Sequence, residues 1–313
     1  MGPIRHIRII SPSGAIDPGY IDGATMRLRA WGFKVSEGAH AREVYGRFAG
    51  SDEERLADLC EAMSAPDVDL ILCSRGGYGL QRLADRIPPV TKPVLGFSDV
   101  TVLHQLSAIS SQPSIHGIMC KHIATLPEES EPIQALKNIL TQQPSEIHYR
   151  WETHPLNRYG DAEGRLTGGN LSVLYGLQGT PYEIRAITNY ELRITNYELR
   201  ITNDEGEKPI LLIEDIGERH YHIDRMMRNL RMSGVLERIG GLIVGQFSGC
   251  EDDPQMRCSV YETIKEAVAE YNYPVIFNAP IGHVEHNLPV WLQVHTSIHS
   301  GADGVLLHHG LQV

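Results

Sequence analysis

A serine at a strand-to-helix corner, a glycine-rich turn, two adjacent carboxylates and a glycine-histidine pair are where this chain could assemble hydrolytic chemistry. Ser98 stands in Pro93-Val-Leu-Gly-Phe-Ser-Asp-Val100: an apolar strand run, a glycine, then a hydroxyl at the first turn of a helix. A tight turn exposes such a hydroxyl, and unpaired N–H groups at a helix start can hold an oxyanion. The motif is half of a G-x-S-x-G elbow, since Val100 replaces the last glycine. An ordinary N-cap serine fits the same spacing.

The run Ser74-Arg75-Gly76-Gly77-Tyr78-Gly79 follows another apolar stretch, VDLILC. Glycines let a backbone approach a ligand closely and present its N–H donors to a phosphate or an oxyanion. Neither G-x-G-x-x-G nor a Walker A sequence occurs, so no nucleotide role is supported. Arg75 could pair with a substrate carboxylate or with a neighbouring acid.

Glu214 and Asp215 close the apolar run PILLI, and His283 follows Gly282 in NAPIGHVEHNLP. A carboxylate at the end of a buried strand needs a partner, and orienting an imidazole would supply one. Each taken alone is equally readable as a satisfied structural residue. His220 with His222, and His283 with His286, offer metal ligands in principle. The chain lacks HExxH, HxxEH and Cys/His zinc spacing, and with 15 histidines chance pairs are expected, so no metal and no other cofactor is expected.

The elements that must position these residues alternate strand and helix, which argues for an α/β fold with a largely parallel sheet. IRIISPSG reads as a first strand entering a turn, and Tyr20 to Trp31 as an amphipathic helix followed by the strand FKVSEG. Ser51-Asp-Glu-Glu54 is a capping-box pattern that opens a second helix. VDLILCS and PVLGFS are strands, and DVTVLHQLSAIS is a helix. Periodicity fails over 144–163, which is read as a linker between an N-terminal domain, 1–143, that bears Ser98 and a C-terminal domain, 164–313, that bears Glu214 and His283. In the latter, PILLIED, GGLIVGQFSG, YPVIFNAPIG and VWLQVHTSI read as strands, with helices at HIDRMMRNLRMSGVLERI and from Val260 to Tyr271. Within 187–203 the heptad ITNYELR occurs twice without change and begins a third time. Two undrifted copies are too short for a stacked solenoid and read as an inserted surface loop or hairpin.

At 313 residues, with 42% hydrophobic and 21% charged residues, the chain has ample material for a core, and two domains are expected. A net charge of −11 excludes a basic field for a nucleic acid or an anionic membrane. No apolar run approaches the roughly 20 residues that span a bilayer, and no targeting signal is read at the start. Five scattered cysteines without a CxxC suit a reducing compartment, so the cytoplasm is the expected location.

Taken together and in order, SPSG at 11–14, SRGGYG at 74–79, GFSD at 96–99, HG at 116–117, GRLTGGNLSVLYGLQGTP at 164–181, IEDIGE at 213–218 and GHVEHNLP at 282–289 resemble the LD-carboxypeptidases. These serine peptidases include the murein tetrapeptide carboxypeptidases and the microcin C immunity peptidases. The resemblance implies Ser98 as nucleophile, His283 as general base and Glu214 as the acid that orients it, with the N–H groups of Gly77 and Asp99 as the oxyanion hole. It also implies a flavodoxin-like N-terminal domain with a smaller mixed α/β C-terminal domain, a homodimer, and release of a terminal D-alanine from murein peptides during wall recycling. Hydrolysis of peptidyl or aminoacyl adenylates is the alternative substrate reading, and a non-catalytic peptide or amino-acid binder is the alternative of another class. Two positions depart from the pattern. Ile118 follows HG where proline is frequent, and Trp291 follows LPV where glycine is common. A flat aromatic near His283 is expected to bear on substrate fit or on the neighbouring interface.

Overall fold

The computed structural model describes residues 2–141, 147–184, 194–195, 198–199 and 208–310. The first half builds β1 (His6–Ile10), α1 (Pro18–Ala30), β2 (Lys34–Glu37), α2 (Asp52–Ser64), β3 (Leu70–Cys73), β4 (Val94–Gly96), α3 (Thr101–Ile109), β5 (Ser114–His116), α4 (Cys120–Thr125) and α5 (Glu131–Thr141). Its five strands are parallel in the order β5-β4-β3-β1-β2, the doubly wound order of flavodoxin. Both faces are covered, so β3 is buried at every position, as the continuous apolar run Leu70 to Cys73 requires. The capping box at Ser51 forms in full: Glu54 N–H donates to Ser51 Oγ at 3.2 Å, and Ser51 N–H donates to the Glu54 carboxylate at 2.7 Å.

The second half adds β6 (Ile147–Trp151), β7 (Gly160–Asn170), α6 (Leu171–Gly176), β8 (Ile194–Thr195), β9 (Glu198–Leu199), β10 (Ile210–Ile216), α7 (His220–Met232), β11 (Gly241–Ser248), α8 (Val260–Ala267), β12 (Val275–Ile276), β13 (Val290–Leu292), β14 (His295–Gly301) and β15 (Gly304–His309). A seven-stranded sheet runs β12-β11-β10-β7-β14-β15-β6. The first four strands are parallel and the rest antiparallel, with β7 as the seam: its residues 160–165 pair with β14 and its residues 166–170 with β10. The stretch read as a linker therefore holds β6 and the start of β7. Of the heptad segment, only β8 and β9 are described, paired antiparallel; the remainder lies outside the described residues.

VWLQVHTSI does not form one strand. Gln293 takes a left-handed backbone, φ 64°, and cuts the run in two. β13 pairs antiparallel with β5 at the edge of the N-terminal sheet, while β14 joins the other sheet. α7 likewise stops at Met232, where Ser233 caps it and Gly234 takes φ 76°. The two halves also meet where Asn170 N–H donates to Thr101 Oγ1 at 3.0 Å. Leu177 of the second half lies in the apolar cluster of Leu59, Val100 and Leu103. Among the described residues, no helix is long and apolar enough to cross a membrane.

Candidate active site

Three loops leave the carboxyl ends of β1, β3 and β4, the edge where open α/β sheets bind ligands. Ser98 lies on the third. Phe97 is extended, Ser98 turns to φ 68°, and a single 3-10 turn over Ser98–Val100 leads into α3. A left-handed conformation costs a non-glycine residue roughly 1–2 kcal/mol, and such strain persists only where packing enforces it. The second loop packs directly against this turn. A Cβ on Gly76 would stand 2.7 Å from Ser98 Cβ and 3.0 Å from its Oγ.

The first and second loops are laced together under Ser98. Gly14 N–H donates to the Gly76 carbonyl at 3.0 Å. The buried Asp99 carboxylate accepts from Ser13 Oγ at 2.6 Å and from Leu80 N–H at 2.9 Å. Burial raises its pKa against those two bonds. Gly77 has φ 105° beside this turn. Arg75 is exposed and spends one nitrogen on the Ala15 carbonyl, at 2.6 Å.

Glu214 comes from β10. That strand's pairing with β11 slips between Ile213 and Asp215, and the irregularity falls on Glu214, the position where bulges commonly re-aim side chains at active sites. Glu214 is fully buried, and His283 Nδ1 donates to its Oε2 at 2.7 Å. That bond leaves Nε2 of His283 as the imidazole's other working atom, an assignment made from the hydrogen-bond partner. Burial pushes the Glu214 carboxyl up, but the imidazoles of His116 and His283 outweigh it and hold the pKa down at about 2. Asp215 points elsewhere, accepting from Asn170 Nδ2 at 3.0 Å, Ser172 N–H at 2.8 Å and Ile216 N–H at 2.9 Å. Burial first, and then the Glu214 charge, raise Asp215 to about 7.

His283 is held by its own loop. Ser248 Oγ donates to its carbonyl at 2.8 Å, and Gly282 N–H donates to the buried Asn287 side chain at 2.9 Å. Gly282 has φ 130°, and a Cβ there would lie 3.0 Å from Glu214 Oε2. The Phe97 ring meets the His283 ring edge-on at 4.8 Å between centroids. This contact sets the imidazole against the residue that precedes Ser98 in the chain.

His116 carries no assigned chemistry in the sequence reading, although HG was among its motifs. On β5 and fully buried, it places Nε2 3.7 Å from Glu214 Oε1. The other histidines have separate tasks. His220 bonds Thr263 Oγ1 at 2.7 Å, His222 bonds Glu218 at 3.0 Å and His286 bonds Glu131 at 2.9 Å. Among the described residues no three His, Cys, Asp or Glu side chains gather as a metal site would need. Trp291 corrects the expectation that it bears on substrate fit. It is 1% exposed, and together with Ile118 it belongs to the apolar cluster of Ile7, Leu95 and Ile115. A continuous β run hid the turn at Gln293 that places it there.

The description "LD-carboxypeptidase N-terminal domain" matches residues 7–117, and "LD-carboxypeptidase C-terminal domain" matches 163–298. A putative carboxypeptidase of Synechocystis is 33% identical over 92% of this chain and 90% of its own length. The crystal structure of muramoyltetrapeptide carboxypeptidase from Oxalobacter formigenes superposes with a TM-score of 0.80 at 26% identity, covering 97% of this chain and 98% of that one. The microcin C7 self-immunity protein MccF, in complex with aspartyl sulfamoyl adenosine, has the same fold, with a TM-score of 0.79 at 19% identity over 100% of this chain and 98% of that one.

Proposed function

The chain belongs to the LD-carboxypeptidase family and is a peptidase, and on that premise we propose that it is a serine-type enzyme releasing the terminal D-alanine of murein tetrapeptides. The observation that carries the reading is the 2.7 Å bond from His283 to the buried Glu214, made by an imidazole that packs edge-on against Phe97, the neighbour of Ser98. His283 Nε2 takes the Ser98 proton, and Oγ attacks the carbonyl that precedes D-alanine. The N–H groups of Gly77 and Asp99 receive the oxyanion, each donor being worth about 10²- to 10³-fold in rate. Glu214 fixes the imidazole tautomer and stabilises the imidazolium. His283 then protonates the leaving amine, and water, activated by the same imidazole, hydrolyses the acyl-enzyme.

Arg75 is assigned to the terminal carboxylate, since it retains further N–H donors beyond its bond to Ala15. Its loss in Arg75→Ala should raise KM. The murein substrate is supported by the muramoyltetrapeptide carboxypeptidase likeness, and the five cysteines, all free, fit a cytoplasmic recycling role. A homodimer is the assembly the family implies. The test is mass spectrometry of murein tetrapeptide with wild type and Ser98→Ala. D-Alanine released by the first and not by the second is the expected result. No release by wild type overturns the substrate, and cleavage of an aminoacyl sulfamoyl adenosine instead would assign the chain to acyl-adenylates.

A further inference from the structure

His116 is a buried ionisable group that the mechanism above leaves unused. It sits on β5 in register with Gly96, two residues before Ser98. Among the described residues, neither of its ring nitrogens has a hydrogen-bond partner, and neither has Oε1 of Glu214. These orphans face one another, with Nε2 3.7 Å from Oε1 and both side chains at zero exposure. A buried polar group left unmade costs about 1–3 kcal/mol, so two complementary ones side by side in a dry site call for an explanation.

Two rings lie near it, Phe97 at 5.8 Å between ring centroids and His104 at 6.0 Å. His104 is already committed, with Nε2 donating to the Gly96 carbonyl at 2.9 Å and Nδ1 accepting from Ser114 Oγ at 3.0 Å. His283 lies across Glu214, and His122 touches Phe97 at 6.1 Å. Glu214 is thus the carboxylate that, among the described residues, stands against the His116 ring.

We propose that His116 is a positioning residue: its Nε2–H anchors Oε1 of Glu214 so that Oε2 stays aimed at Nδ1 of His283. The proposal rests on the Ser98–His283–Glu214 reading and adds a fourth member to it. A small shift closes the gap to the roughly 3 Å of a hydrogen bond, and catalytic bonds commonly tighten in this way when substrate binds. The consequence concerns architecture. Glu214 comes from the C-terminal sheet and His116 from the N-terminal one, so the acid is gripped by the domain that carries the nucleophile. Packing of the two domains thereby becomes a condition for a correctly aimed base.

The test compares His116→Phe, which keeps a ring but no donor, with His116→Gln, whose amide nitrogen stands near the position of Nε2. In His116→Phe, kcat on murein tetrapeptide should fall on the order of tenfold or more with KM little changed, less than on losing Glu214 itself. The proton resonance of the His283 Nδ1–H bond should shift, and His116→Gln should recover most of both. Unchanged kcat and an unchanged resonance in a folded His116→Phe would overturn the proposal, as would His116→Gln failing equally while folded. Should neither variant fold, histidine-labelled NMR spectra of the wild type decide, because a His116 ring with its only hydrogen on Nδ1 refutes the contact. Ser98→Ala is the separating control. Hydrolysis that survives it sinks the triad reading, while the spectra still judge His116 against Glu214.

Discussion

Gly76 packs so closely on Ser98 that it leaves no room for a side chain of its own: a methyl group on Gly76 would lie 2.7 Å from Ser98 Cβ. A distance that short is a hard clash, and Phe97, whose carbonyl would lie 3.1 Å away, blocks retreat in another direction. The glycine of the second loop is therefore needed by the serine as much as by any ligand. Gly76→Ala should displace Ser98 from its left-handed turn and cut kcat by about 100-fold, since small misplacements of reacting groups cost that much. The fold should survive. Steady-state kinetics beside a thermal melt check this, and full activity would mean that the turn does not need the close approach.

Glu214 should be needed to hold the imidazole tautomer. In Glu214→Gln the amide still fills the space, but its N–H₂ turned towards Nδ1 favours the wrong tautomer of His283. By analogy with the acid of the serine-protease triad, kcat should drop about 10³- to 10⁴-fold with KM preserved. A loss under tenfold would remove Glu214 from the triad.

The paired carboxylates of β10 should leave opposite marks on stability against pH. Glu214 is held at about 2, below its ordinary 4.5, so the stability it contributes is present above 4.5 and is lost as pH falls towards 2. Asp215 is raised to about 7 from 3.8, so its contribution is complete below 3.8 and declines as pH rises through 7. Urea midpoints across this range should flatten on the acid side in Glu214→Gln, and between pH 4 and 7 in Asp215→Asn. An Asp215→Asn curve parallel to wild type from pH 4 to 8 would rule out this ionisation cost.

What the sequence disclosed follows from where the information is local. Ser51 with Glu54, the apolar run Leu70 to Cys73, and the strand, glycine and serine before α3 are each decided within a few residues, so they could be read directly. The pairing of Glu214 with His283 was legible because motifs in a fixed order carried both, although the two meet through a contact 69 residues apart in sequence. The role of His116 was not legible. Its ring is defined by a carboxylate on another sheet, and β5 is too short to announce itself. Nor does any residue type signal that Gln293 turns left-handed and hands the chain from one sheet to the other.

That turn decides what Trp291 does. β13 pairs Trp291 with Ile115 on β5, and the indole is 1% exposed within a cluster that also holds Ile118. Both departures from the family's pattern thus lie in one apolar core, where a bulky group changes packing and meets no substrate. Trp291→Ala should destabilise the protein by about 3–5 kcal/mol through the cavity it leaves. Trp291→Phe should cost less, because the buried indole N–H has no partner among the described residues to lose. KM for the peptide should stay at the wild-type value in Trp291→Phe. If KM rises severalfold while the melting temperature holds, the indole reaches the ligand and its placement in the core is wrong; a large loss of stability with KM intact fixes it as part of the sheet that carries His116.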